Sequence, residues 1–140
     1  MALIADSGAI YGLHDRDDRH HRALRRFIVH QREDILIPSP ILSEIDYLLH
    51  AKLGVAAELD FLDDLVAGVF ALEAFTTQDV ARSRELIAQY RGLDIGLADA
   101  AVIATAERLG VSRILTVDER HFRAVRGAGG RAFTLLPADA

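Results

Sequence analysis

The chain has 140 residues, of which 51% are hydrophobic, and it carries a formal net charge of −5 and no cysteine. The length fits one domain with a single core, the lack of cysteine excludes disulfides, thiolate zinc sites and cysteine nucleophiles, and the acidic balance argues against a simple basic nucleic-acid-binding module. No apolar run reaches membrane-spanning length and the N-terminus lacks the features of a signal peptide, so we expect a soluble, cytoplasmic protein with no membrane contact.

Short apolar runs alternate with longer amphipathic segments, which is the pattern of an α/β domain with a parallel sheet. Residues 3–5 are predicted as the first strand and residues 20–31 as a helix, because apolar side chains recur there at helical spacing. Residues 35–37 form the second predicted strand, which ends at Pro38. Ser39 and Pro40 are then predicted to open a helix as N-cap and first helical residue, and Gly54 to end it.

The second half of the chain continues the same alternation. A helix is predicted over residues 56–67, and the third strand over 70–75, although Ala and Glu are poor strand formers. Helices follow over 77–90, where a Thr-x-Asp-Val opening suits capping, and over 98–109, which Gly110 closes. Residues 113–117 and 132–136 are the fourth and fifth predicted strands.

Two aspartates directly follow predicted strands, Asp6 after the first and Asp118 after the fourth. Each has a structural alternative, because either could merely cap the short helix that follows it. In a doubly wound sheet of order 3-2-1-4-5, however, strands one and four are neighbours, and ligand sites lie at their carboxyl ends. Under that assumed order the two carboxylates share one crevice, and like charges so close require a cation.

Asp99 lies on a segment that is apolar nearly all round. On a helix it faces the same way as Val102, Ile103 and Ala106, and burying an ionised carboxylate there is costly unless it is paired or binds a metal. The alternative is again an N-cap, with the helix starting at Ala100.

Three further positions are weaker candidates. Glu44 lies at one edge of the buried stripe of the Ser39–Pro40 helix; taken alone it is a solvated glutamate, and Asp46 on the opposite edge rivals it. Asp94 is an outer member of the site or only a turn residue. The six histidines are scattered, and His121 is singled out only because it is close to Asp118 in the sequence.

Oxygen ligands of this kind suit Mg²⁺ or Mn²⁺, hard ions that bind carboxylates and water in octahedral geometry. No paired-histidine spacing indicates zinc. The sequence therefore predicts a divalent metal centre at Asp6, Asp99 and Asp118, and the place of Glu44 in it depends on these three acids and on the resemblance that follows.

With these residues in place, the chain resembles the PIN-domain ribonucleases, and more closely the VapC toxins of bacterial toxin–antitoxin pairs. The resemblance covers essentially the whole chain, so residues 1–140 are expected to be one PIN domain. Its motifs are Ile-Ala-Asp-Ser-Gly-Ala at 4–9, Pro-Ser-Pro at 38–40, Ser-Glu-Ile-Asp-Tyr at 43–47, Gly-Leu-Ala-Asp-Ala at 96–100 and Leu-Thr-Val-Asp-Glu-Arg-His-Phe at 115–122.

The resemblance implies a Rossmann-like, three-layer α/β fold with a five-stranded parallel sheet in the order 3-2-1-4-5, flanked by helices. It implies that the four acids hold the metal, that Ser7 and Thr116 support them, and that water activated by the metal hydrolyses structured RNA, transfer or ribosomal, leaving a 5′-phosphate. It also implies a homodimer that a VapB-type antitoxin inhibits. Many relatives have no acid at the position of Asp94. Candidate phosphate contacts are Arg120, Arg123 and Arg126.

Two other functions compete with this one. A phosphoacceptor receiver domain also places acids at strand ends, but it needs a lysine near the end of its last strand, and Lys52, the sole lysine, lies in a helical segment. An inactive PIN-like module would use the same fold only for protein contacts. A phosphate-binding-loop enzyme is excluded, since no Gly-x-x-x-x-Gly-Lys occurs.

Overall fold

The computed structural model describes residues 1–140 apart from the side chain of Ala128. Its centre is a parallel sheet with the spatial order β3-β2-β1-β4-β5. The predicted fold class and strand order are therefore confirmed. The strands are β1 (Ala2–Ala5), β2 (Asp34–Pro38), β3 (Ala71–Glu73), β4 (Arg113–Leu115) and β5 (Thr134–Leu136).

The pairing of β1 with β4 fixes the position of the first two candidate acids. Ile4 lies opposite Ile114 in the sheet, and the backbone N–H of Asp6 continues the ladder to the carbonyl of Leu115 at 3.1 Å. Because parallel strands end at the same edge, the residues that follow β1 and β4 emerge side by side.

Seven α-helices connect and flank the strands. The residues of β1 are buried on both of its faces, as expected of a parallel sheet covered on each side. Within the residues that it describes, the structure has no helix that is both long and apolar enough to cross a membrane. The helices are α1 (Ser7–His14), α2 (His21–His30), α3 (Leu42–Leu53), α4 (Val55–Ala67), α5 (Thr77–Gln89), α6 (Leu97–Leu109) and α7 (Glu119–Ala124).

One predicted helix start was wrong. Ser39 does not cap a helix, because residues Ser39–Ile41 form a 3₁₀ turn and α3 begins only at Leu42, without a side-chain cap. Helix α5 begins at Thr77, as predicted, and its N-cap is Thr76, the residue before the Thr-x-Asp-Val segment. Asp79 stands three residues after Thr76, which is the spacing at which side chain and backbone bond reciprocally.

Helix α6 is the most buried helix of the molecule. Every residue from 100 to 106 is buried, and the helix packs on β1 and β2 on one side and against α5 on another. The alanines in this run keep the helix close to the sheet. Asp99, which precedes the run, is therefore held at the base of a helix that has little freedom to move.

Asp79 joins α5 to α6 and is expected to be the main polar contributor to stability outside the site. Its Oδ2 accepts from the backbone N–H of Thr76 at 2.9 Å and its Oδ1 accepts from Arg108 Nε at 2.9 Å. Burial opposes ionisation, but these donors outweigh it and hold the pKa of Asp79 below its usual value. We expect Asp79→Ala to lower the free energy of unfolding by about 2 kcal/mol in urea titrations at pH 7, because a cap and a charged hydrogen bond are lost together.

The control for this variant is Glu85→Ala, which removes the exposed partner of Arg82 on the same helix. We expect Glu85→Ala to lower the free energy of unfolding by less than about 0.5 kcal/mol, since exposed ion pairs contribute little. Equal losses in the two variants would show that the buried network adds nothing specific. Because the pKa of Asp79 is lowered by folding, its contribution is present at neutral pH and should fade in acid.

Candidate active site

Acidic side chains from four elements converge at the carboxyl edge of the sheet. Asp6 follows β1 and Asp118 lies just beyond β4, while Asp99 comes from the first turn of α6 and Glu44 from the first turn of α3. Sites in such sheets lie in the crevice at this edge. The charges of these acids interact there: beside the larger effect of burial, the charges of Asp99 and Asp118 raise the pKa of Asp6, and the charge of Glu44 raises that of Asp99.

Asp6 is buried at the bottom of this crevice. Its Oδ1 caps α1 by accepting from the N–H of Ala9 at 2.9 Å, and its Oδ2 accepts a hydrogen bond from the Thr116 hydroxyl. Burial is the largest influence and raises the pKa of Asp6 to about 7, against the opposing effect of both donors. Asp6 therefore caps α1 through one oxygen only, so the cap does not exclude the site role that the sequence offered as the alternative.

Thr116 links Asp6 to Asp118. While its hydroxyl donates to Asp6, the same oxygen accepts from the backbone N–H of Asp118 at 2.9 Å. Asp118 in turn caps α7 through Oδ1, which lies 3.4 Å from the N–H of His121, and leaves its Oδ2 directed at the His121 ring. A buried threonine thus fixes the spacing of two carboxylates that belong to neighbouring strands.

Asp99 is not an N-cap, so the structural alternative for this residue was wrong. Helix α6 begins at Leu97 after Gly96, which puts Asp99 inside the first turn, and its carboxylate leaves the helix to meet His121 Nδ1 at 2.8 Å. Burial raises the pKa of Asp99 above its usual value, and the charges of Asp118 and Glu44 add to this, while His121 opposes it.

Glu44 is the exposed member of the set. It accepts a hydrogen bond from the hydroxyl of Ser7, the first residue of α1, which directs it across the mouth of the crevice. Its rival Asp46 belongs elsewhere: a hydrogen bond with Glu58 of α4 raises the pKa of Asp46. The structure therefore brings Glu44, and not Asp46, to the site.

His121 is the residue that the sequence underrated. Its Nδ1 lies 2.8 Å from Asp99 Oδ2 and 3.2 Å from Asp118 Oδ2, and the ligand atoms of these three residues all lie within 4.8 Å of one another. The signal for it was the spacing of three residues after a helix cap, which returns the side chain to the face of Asp118. The contact with Asp99 needs the folded sheet, because the two residues are 22 apart in the chain.

One predicted supporting residue, Asp94, and two of the three candidate phosphate-binding arginines are engaged elsewhere. Asp94 is exposed in a left-handed turn before α6, at φ 54°, and lines a different groove with Arg84 and Leu97. Among the candidate phosphate contacts, Arg123 is engaged by Glu119 and Asp139, and Arg126 donates to backbone carbonyls. Arg120 is exposed on α7.

The donor set fits a divalent cation. Burial and neighbouring acids raise the pKa values of Asp6 and Asp99, so these two carboxylates are electrostatically unfavourable in the ionised state unless a cation compensates them. The available donors at this edge are mainly carboxylate oxygens, which Mg²⁺ and Mn²⁺ prefer. Asp6, Asp99, Asp118 and Glu44 are the residues that would hold such an ion, and Ser7 and Thr116 would orient them.

Comparison with known proteins gives concordant results. The PIN domain family matches residues 3–128 of the chain. The ribonuclease VapC26 of Mycobacterium tuberculosis is 32% identical over 135 residues, which span 96% of this chain and all of that protein. Among solved structures, VapC20 of M. tuberculosis, described as a sarcin–ricin loop cleaving toxin, superposes with a TM-score of 0.75 at 17% identity over 80% of this chain and 86% of that one. VapBC2 from Rickettsia felis, solved bound to a promoter DNA fragment, gives 0.68 at 16% identity, covering 96% and 97%.

Proposed function

The chain belongs to the PIN domain family and, within it, to the VapC-type ribonuclease toxins, and we propose that it is an Mg²⁺- or Mn²⁺-dependent endoribonuclease that cleaves structured RNA. The observation that carries the metal dependence is the convergence of Asp6, Asp99 and Asp118. Burial raises the pKa of Asp6 and of Asp99, and the charge of Asp118 raises both further, so the ionised forms of Asp6 and Asp99 are disfavoured without a cation. We propose that residues 1–140 act as one PIN domain.

A bound divalent ion supplies Lewis-acid activation of water and neutralises charge on the attacked phosphate. The chain's own residues supply the rest. Thr116 holds Asp6 and the backbone of Asp118 in a fixed relation, and the Ser7 hydroxyl holds Glu44 at the mouth of the crevice, so the carboxylates are positioned before substrate arrives. No protein nucleophile is required, since water is the attacking group and a 3′-hydroxyl and 5′-phosphate are the products.

RNA is the proposed substrate because the curated relative is a ribonuclease, and a structured target, transfer or ribosomal, is proposed because VapC20 is described as cleaving the sarcin–ricin loop. Arg120 is the arginine of α7 that we propose contacts a phosphate, because it is exposed and follows Asp118 by two residues. Arg123 is a weaker candidate, because Glu119 and Asp139 already neutralise it.

A VapB-type antitoxin is the proposed protein partner. Structural neighbours include the VapBC2 complex and a toxin–antitoxin complex from Klebsiella pneumoniae. We also propose a homodimer, for which the exposed Tyr47, Val66 and Leu97 offer apolar surface, and a cytoplasmic location, where such RNA resides.

The receiver-domain alternative is not supported, because Lys52 lies on α3 with its Nζ 5.1 Å from the ring centroid of Tyr11. The inactive-module alternative is decided by experiment. Purified protein, freed of antitoxin, is incubated with transfer RNA and with a sarcin–ricin loop stem-loop, with Mn²⁺, with Mg²⁺ or with EDTA.

We expect cleavage with either ion, 5′-phosphorylated products, and complete loss in EDTA that added Mn²⁺ restores. Cleavage that persists in EDTA would exclude the metal mechanism. Binding of Mn²⁺ without cleavage of any RNA would favour the inactive module.

A further inference from the structure

The ring of His121 lies against two carboxylates, those of Asp99 and Asp118. The Nδ1 of His121 faces the Oδ2 atoms of Asp99 and Asp118 at 2.8 and 3.2 Å, and its side chain is 19% exposed. Since both partners are acceptors, a single N–H is divided between two anionic oxygens. That is the position which a cation would take if it replaced the proton.

Two of the three separations among the donor atoms match those of adjacent ligands around one ion, and the third is no more than 4.8 Å. Octahedral ligands about 2.1 Å from a metal lie about 3.0 Å apart when adjacent, and the measured separations of 2.8 and 3.2 Å bracket that value. The ring is also held from outside the site. His121 lies on α7, which Asp118 caps and the fully buried Phe122 anchors. Asp6 and Glu44 are not among the residues whose ligand atoms all lie within 4.8 Å of one another.

We propose that His121 Nδ1 is a metal ligand together with Asp99 and Asp118, and that this nitrogen makes the centre select Mn²⁺ over Mg²⁺. The inference rests on the proposed function, because it concerns the same metal centre. Imidazole is a good ligand for first-row transition ions, whereas Mg²⁺ keeps to oxygen donors and water. On binding, the ring carries its single proton on Nε2, and a second ring proton, where present, leaves to solvent.

The competing role for His121 is that of a counter-ion, which holds the two carboxylates together in the absence of metal and withdraws when an ion binds. The two roles differ in what lies next to the ion. If His121 is a ligand, a nitrogen is bonded to the metal. If His121 is a counter-ion, only oxygens are bonded to it.

The test uses the full chain labelled with ¹⁵N-histidine and loaded with Mn²⁺, examined by pulsed electron paramagnetic resonance. We expect a ¹⁵N coupling in the wild type that is absent in His121→Asn and retained in His30→Asn, which changes an exposed histidine on α2. Calorimetry with each ion should show that His121→Asn weakens Mn²⁺ binding about tenfold or more and Mg²⁺ binding much less.

A wild-type protein that binds Mn²⁺ without nitrogen coupling overturns the inference and leaves the metal-dependent ribonuclease intact. Equal losses of Mn²⁺ and Mg²⁺ affinity in His121→Asn overturn the selectivity. Failure of the wild type to bind either ion overturns the proposed function as well. If His121→Asn does not fold, comparing the ¹⁵N coupling of the labelled wild type with that of His121→Gln still distinguishes a ligand from a counter-ion.

Discussion

Replacing Asp99 with asparagine is expected to lower the rate of RNA cleavage at saturating Mn²⁺ about 100-fold or more. The change keeps the shape of the side chain and leaves an oxygen that can accept from His121, but it removes the negative charge that the ion needs. Loss of several kcal/mol of charge stabilisation corresponds to this factor, since each 1.36 kcal/mol is tenfold in rate. Initial rates on a stem-loop RNA, with Mn²⁺ affinity measured in parallel, are the readout.

The matched control is Asp94→Asn, the same chemical change five residues earlier on an exposed turn outside the crevice. It should leave the rate within about twofold, because surface changes away from such features have small effects. Glu44→Gln should lower the cleavage rate by an intermediate amount, near tenfold, since Glu44 is exposed and held by one hydroxyl. A rate for Asp99→Asn equal to that of Asp94→Asn would remove Asp99 from the site.

The acids at strand ends were predictable because their positions depend on local pattern and on one assumption about strand order. Asp6 and Asp118 each follow an apolar run, and the order that makes β1 and β4 neighbours was confirmed. The local pattern presented capping and ligand binding as alternatives, but a carboxylate has two oxygens that can make different contacts. In both residues one oxygen caps a helix while the other contacts a neighbouring side chain, Thr116 or His121, so the cap and the proposed site role, which competed in the sequence, are compatible.

Other features depended on contacts between distant parts of the chain. Ser39 carries a good capping side chain, yet between Pro38 and Pro40 the chain makes a 3₁₀ turn and α3 starts later. The choice of Glu44 over Asp46 is made by Ser7 on α1 and Glu58 on α4, which the sequence of α3 does not contain. His121 meets Asp99 only because α6 and α7 are packed beside the same strand end.

Asp6→Asn is expected to abolish cleavage and, in EDTA at pH 8, to make the protein more stable than the wild type. Burial is the main reason: it raises the pKa of Asp6 from 3.8 to about 7, so the ionised form is disfavoured in the folded state. Between these two values the folded protein retains a proton that the unfolded chain has lost, and stability falls as the pH rises. The full shift corresponds to at most roughly 4 kcal/mol above pH 7. Asparagine does not titrate, can still cap α1, and can donate to Thr116.

The stability difference between Asp6→Asn and the wild type should therefore be small near pH 4 and grow towards pH 8, in urea titrations at a series of pH values. Comparing the two proteins at each pH cancels the other titrating groups. Added Mn²⁺ should then reduce the stability difference between Asp6→Asn and the wild type. An ion that binds the folded wild type stabilises it by mass action, and it cannot do so in a variant that has lost the ligand. A difference that is constant across the pH range, or unchanged by Mn²⁺, would mean that Asp6 is a structural cap and not part of the metal centre.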